Sequence, residues 1–226
     1  MGAVFMTKRH FLFSLVSLFV CLAIGKTSDP TLATISIKDL HPTQAAVGFK
    51  EVEKKAKKIM KKQDGNIDNY LRKEAVPVVL GPGNKKYMID GHHFLAAAYK
   101  QKVDKVYYVV VDDLSNLASE QLFWGKMIDM KRVYLKRNGQ AVQPADLPKD
   151  IGGMVDDPYR TFASEVRDKG GFKKVSVPFI EFMWADYFRD LIPLKMILEN
   201  PKKAVNQALI LSRDEKASQL PGYLGR

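Results

Sequence analysis

The stretch "YMIDGHHFLAAAYK", residues 87–100, sets an acid, a glycine and two histidines side by side in a chain with only four histidines. Asp90 could hold a metal or take a proton; His92 or His93 could donate to phosphate or act as acid or base. An apolar run leads in and an alanine-rich run leads out, so these residues read as the turn between a strand and a helix. Free backbone N–H groups and the positive end of a helix dipole converge at such a turn, which suits an anionic group. Gly91 allows a ligand to come close to the backbone. The bland alternative is that Asp90 caps the helix and one histidine packs in the interior.

The surrounding elements must position that turn. "LATISI" alternates like a strand, and "VGFKEVEKKAKKIMKK" places Val52, Ala56, Ile59 and Met60 on one helical face. Lys54, Lys55, Lys57, Lys58, Lys61 and Lys62 cover the rest, either as a solvated face or as a landing strip for phosphates. "VPVVLGPGNKKYMID" reads as strand, tight turn, strand, and "KVYYVVVDDL" as a strand rich in β-branched and aromatic residues. Ser115 is placed to cap the helix "NLASEQLFWGKMIDM". The order over about residues 32–130 is β-α-β-β-α-β-α, an α+β core on a small mixed sheet.

The following half is largely helical. Asp157 and Pro158 open one helix and Gly170–Gly171 stop it. "PFIEFMWADYFRDLI" is an aromatic helix, and Asn200–Pro201 start another. Trp124, Trp184, Phe182 and Phe188 are expected in the core on their spacing. Asp112–Asp113 could ligate Mg²⁺ or serve turn and cap roles. The tail, residues 213–226, is polar and is expected to be loose.

A net charge of +11 points to an anionic partner such as nucleic acid, a nucleotide or a lipid surface, or else to solubility alone. Lys8 and Arg9 precede an apolar stretch, Phe11 to Ile24, too short to span a bilayer, with Ala23 and Gly25 at −3 and −1 of a cleavage site. Residues 1–25 are therefore expected to be a signal peptide, with export to the periplasm or exterior and no stable membrane span after cleavage; the alternative is an uncleaved anchor. Residues 26–212 would form the domain. The mature chain would carry +9 and no cysteine, which removes thiol nucleophiles, thiolate metal sites and disulfides.

"YMIDGHHFLAAAY" resembles the Asp-Gly-x-His-Arg stretch of the ParB/sulfiredoxin superfamily, where a strand-turn-helix cradles a nucleotide phosphate. More narrowly, "LHPTQAAVGFKEVEKK", "VPVVLGPGNKKYMIDGHH", "LFWGKM", "DDPYR" and "PFIEFMWADYFR" together resemble the ParB-like nuclease family. The resemblance spans about residues 36–190 and implies that superfamily's fold, with a phosphate cradle at Asp90, Gly91 and His93. His92 takes the variable position of the motif. Phe94 stands where many members carry Arg, so Arg160 in "DDPYR" or Arg167 is expected to supply the missing phosphate contact. Members that phosphorylate free serine place a Glu base where "PTQ" falls; here it is Gln44, an amide, left to contact phosphate, while Glu51 and Glu53 lie further along, on the lysine-rich helix. Sulfiredoxin chemistry needs a cysteine that this motif lacks.

Three functions follow from that reading. The first is an exported nuclease or phosphodiesterase using Asp90, His92 and His93, with Arg160 as charge clamp and Mg²⁺ a possible cofactor. The second is a nucleotide-dependent small-molecule kinase. The third is a non-enzymatic module that binds nucleic acid or another anion.

Overall fold

A computed structural model describes residues 32–63 and 65–225. The signal peptide expected in residues 1–25 lies outside them. Nine short strands and eight α-helices are found among the described residues. The strands are β1 (Ala33–Ser36), β2 (Leu40–Pro42), β3 (Ala46–Val47), β4 (Val76–Leu80), β5 (Lys86–Met88), β6 (Lys105–Asp113), β7 (Lys136–Arg137), β8 (Gln140–Ala141) and β9 (Val155–Asp156). The helices are α1 (Phe49–Gln63), α2 (Ile67–Lys73), α3 (His92–Lys100), α4 (Glu120–Asp129), α5 (Pro158–Asp168), α6 (Ile180–Leu191), α7 (Leu194–Glu199) and α8 (Pro201–Leu211).

Five strands form a mixed sheet in the order β1-β6-β4-β5-β2. β1 runs antiparallel to β6 and β4 antiparallel to β5, while β4–β6 and β5–β2 are parallel. Side chains alternate across the pleat, so neighbouring residues of β5 serve opposite layers. Met88 joins Leu40, Val78 and the apolar faces of α1 and α3 in one core. Tyr87 joins Val79, Phe123 and Met127 of α4 in another. This is the α+β architecture expected from the residue pattern.

Local chemistry sets most element ends. In α1, Val52, Ala56 and Ile59 are buried as the spacing predicts, but Met60 is 51 % exposed. One residue advances the helix by about 100°, which carries Met60 off the face that Ile59 occupies. The cap of α4 is Ser119, whose hydroxyl accepts from the Leu122 N–H at 3.2 Å. Ser115 instead donates its hydroxyl to Asp113 Oδ1 at 2.6 Å, closing the turn after β6.

The helical half has its own core of Phe162, Phe172, Trp184 and Phe188. Asp157 caps α5, its Oδ1 accepting from the Tyr159 and Arg160 N–H groups at 3.0 and 3.2 Å. The same carboxylate binds Arg189 of α6 at 2.8 Å. Polarity predicts a loose tail from Arg213, yet it folds back on this half. The Trp184 indole N–H donates to the Pro221 carbonyl at 2.8 Å, and the Lys173 N–H to that of Gly222 at 2.7 Å. Two pairings join the halves: β3 to β9, and Gln44 to Tyr134 through a single bridge.

Candidate active site

The strand β5 ends at Met88, and Gly91 turns the chain into α3 at φ +83°, the left-handed region that glycine enters without strain. Asp90 Oδ1 accepts from the next N–H, that of Gly91, at 2.6 Å, and its side chain is exposed. No side chain caps α3. Asp90 is therefore spent on the turn and not on the helix, and the first N–H groups of α3 lack a side-chain acceptor.

Both histidines do the same thing to different parts of one segment. His92 is buried, and its Nε2 accepts from the Thr43 N–H at 3.1 Å. Thr43 in turn donates its hydroxyl to the Met88 carbonyl at 2.7 Å. His93 Nε2 accepts from the Gly48 N–H at 3.1 Å. An imidazole that accepts at Nε2 is neutral with its proton on Nδ1. Burial enforces this, lowering the His92 pKa to about 3. For His93 burial comes first and the positive charge of Arg160 second, again well below the usual value. The pair thus fastens residues 43–48 against the start of α3.

A carboxylate that sequence spacing did not single out stands beside this fastening. Thr161 of α5 donates its hydroxyl to Glu51 Oε2 at 2.9 Å. A Cβ added to Gly48 would touch that carboxylate and lie 2.5 Å from the Thr161 hydroxyl, so only glycine lets the chain pass here. Burial raises the Glu51 pKa above its ordinary 4.5, with Thr161, Arg160 and Lys54 opposing the shift. His93, Gly48, Glu51 and Thr161 are contiguous, and Arg160 bears electrostatically on both His93 and Glu51. Glu53, by contrast, pairs with Lys100. The signal for Glu51 was a lone acid in the first turn of a lysine-rich helix.

The other expected residues are placed as follows. Gln44 is buried and forms no hydrogen bond to Asp90, His92, His93 or Arg160. Arg160 turns inward: it donates to the Ser164 hydroxyl, lies 3.6 Å from Glu181 and sits over the Phe182 ring at 5.3 Å. Its Nε is buried without a partner. Arg167 pairs with Glu181 and with Asp168 at 2.8 Å. The clamp expected of these two arginines is thus largely occupied within the protein. Asp112 holds Arg132 at 2.8 Å, and no group of three or more His, Cys, Asp or Glu among the described residues could hold a metal ion. No helix among the described residues is long and apolar enough to cross a membrane.

No curated protein matches the chain. Among solved structures it is similar to that of protein Atu1540 from Agrobacterium tumefaciens, at 36% identity and a TM-score of 0.79, covering 88% of this chain and 100% of that one. A family profile described as "Putative ParB-like nuclease" matches residues 33–190. That stretch runs from the first strand of the sheet through the aromatic helix and takes in every residue of the site, so the chain belongs to the ParB-like nuclease family.

Proposed function

We propose that this chain is an exported nuclease or phosphodiesterase that seats a phosphate of its substrate at the start of α3 and uses Glu51 to move the proton. The observation that carries the reading is the Glu51 carboxylate, half-withdrawn from water, bound by Thr161 and contiguous with the histidine-fastened turn. The uncapped N–H groups of α3 offer an anion site, and Gly91 opens the approach. Arg160 and Lys54 oppose the rise of the Glu51 pKa, so positive charge stands beside the carboxylate that takes the proton.

In this mechanism Glu51 takes a proton from a water as the water oxygen bonds to phosphorus. The bond from phosphorus to the leaving oxygen breaks, and Glu51 returns the proton to that oxygen. His92 and His93 position residues 43–48, and neither Nε2 is free to take a proton from the substrate, because each already accepts a backbone N–H. Export rests on the basic and apolar pattern of residues 1–25.

Hydrolysis of single- and double-stranded nucleic acid, with and without Mg²⁺, tests the proposal. Glu51→Gln is expected to reduce turnover by roughly 10²- to 10⁴-fold with the fold intact by circular dichroism. The base must be unprotonated to act, so wild-type activity should rise with pH, with a midpoint above 4.5. Unchanged turnover in Glu51→Gln would remove Glu51 from the mechanism.

A further inference from the structure

A cavity of about 430 Å³ lies on the α4 side of the sheet, at its β2 edge, apart from the histidine turn. Trp124 of α4 and His41 of β2 line it, with Pro144 and Pro148 of the loop opposite and Lys85 and Lys149 among its residues. The family segment "LFWGKM" contributes Trp124, and nothing in the proposed hydrolysis uses it.

Trp124 is partly exposed and is held at right angles to its neighbours. Its ring is edge-to-face with Tyr87 at 5.2 Å and with Phe123 at 5.0 Å. Its indole N–H has no partner among the described residues, unlike that of Trp184. His41 Nδ1 lies 3.1 Å from the Lys149 carbonyl and so donates to it, which leaves Nε2 as an acceptor. Aromatic surface, one free donor, one free acceptor and flanking prolines match the flat face and polar edge of a nucleobase. Lys85 is 3.6 Å from Glu120, while Lys149 has no ion pair among the described residues. Lys149 therefore offers uncompensated positive charge for the phosphate that accompanies a base. The chain reaches the segment gripped by His92 directly after Pro42, which also lines the cavity.

We infer that this cavity is a base-binding slot that seats one unpaired nucleobase of a nucleic-acid strand against Trp124, making single strands the preferred substrate. The inference rests on the nucleolytic reading above and names its substrate class. A base in a duplex is stacked and paired and must be extruded to enter such a slot, whereas a single strand presents it freely.

The chain has two tryptophans, and Trp184 is fully buried, so a fluorescence change on binding reports Trp124. The full chain carrying Glu51→Gln, which should not cleave, is titrated with a thymidine octanucleotide, with its duplex and with free thymidine monophosphate. Quenching by the single strand and much less by the duplex is expected. Trp124→Ala removes that reporter, so binding is compared by the fluorescence anisotropy of a dye-labelled octanucleotide, and the substitution should weaken it roughly five- to hundredfold with unchanged far-ultraviolet circular dichroism. Equal binding by Trp124→Ala, equal quenching by the duplex, or quenching by the free nucleotide alone would overturn the slot. If the wild type cleaves while Trp124→Ala binds normally, the slot falls and hydrolysis stands. If Trp124 reports single-strand binding but the wild type cleaves nothing, hydrolysis falls and the slot stands.

Discussion

The Thr43 N–H donates to Nε2 of His92 at 3.1 Å, across 49 residues of chain and wholly inside the protein. His92 is thereby an acceptor on which a buried backbone donor depends, and protonation would convert it into a second donor facing the first.

Stability should therefore fall in acid. The folded pKa of His92 is lowered to about 3, below the ordinary 6.5, so between these values the unfolded chain binds the extra proton. The stabilising contribution is fully present above pH 6.5 and is lost as pH falls towards 3. His93 shifts in the same direction and adds to the effect. Urea unfolding from pH 4 to 8 is expected to show a declining midpoint on the acid side. His92→Phe should flatten that decline while costing about 1–3 kcal/mol at pH 7, because the Thr43 N–H loses its acceptor. A wild-type midpoint independent of pH would contradict a buried neutral imidazole.

Gly48→Ala probes the candidate site without replacing a reactive side chain. The new methyl would meet the Glu51 carboxylate and the Thr161 hydroxyl, and one of them must move. Overpacking of this kind costs about 1–3 kcal/mol. Turnover should fall at least tenfold at a temperature where the variant remains folded, with KM changed less than kcat. Full activity in a folded Gly48→Ala chain would separate Glu51 from the chemistry.

Arg160→Ala should act mainly on stability. The guanidinium is only 13% exposed, bonded to Ser164 and close to Glu181, and its removal leaves Glu181 to Arg167. A loss of about 1–3 kcal/mol in denaturant unfolding is expected. Loss of anion binding with unchanged stability would instead restore the arginine to the role of phosphate clamp.

Periodicity and turn chemistry made much of this fold legible. The faces of α1 and α6, the Asp157–Pro158 start of α5 and the Gly-Pro-Gly-Asn turn between β4 and β5 were all readable locally. Short elements were not: β2, β3 and α2 carry too few residues for a period to emerge. Spacing put the start of α4 at Ser115, whereas Asp113 draws that serine into the turn and the cap falls at Ser119. The site was half legible. "DGHH" marked the turn, but the acceptors on its imidazoles face Thr43 and Gly48, more than forty residues earlier, and no local pattern encodes that distance. Glu51 became visible only when α5 brought Thr161 to it.

The two imidazoles grip main chain, and main chain is the same at every position. Thr43 and Gly48 are held by their N–H groups, so the hold itself is blind to which side chains lie between them. Gln44, Ala45, Ala46 and Val47 form a cassette whose frame is fixed from outside. Such a frame decouples architecture from chemistry. An acid exchanged for the amide at Gln44 would alter what this segment can do to a proton while leaving both fasteners in place, so one scaffold can be re-tooled for a different reaction by substitution within four residues.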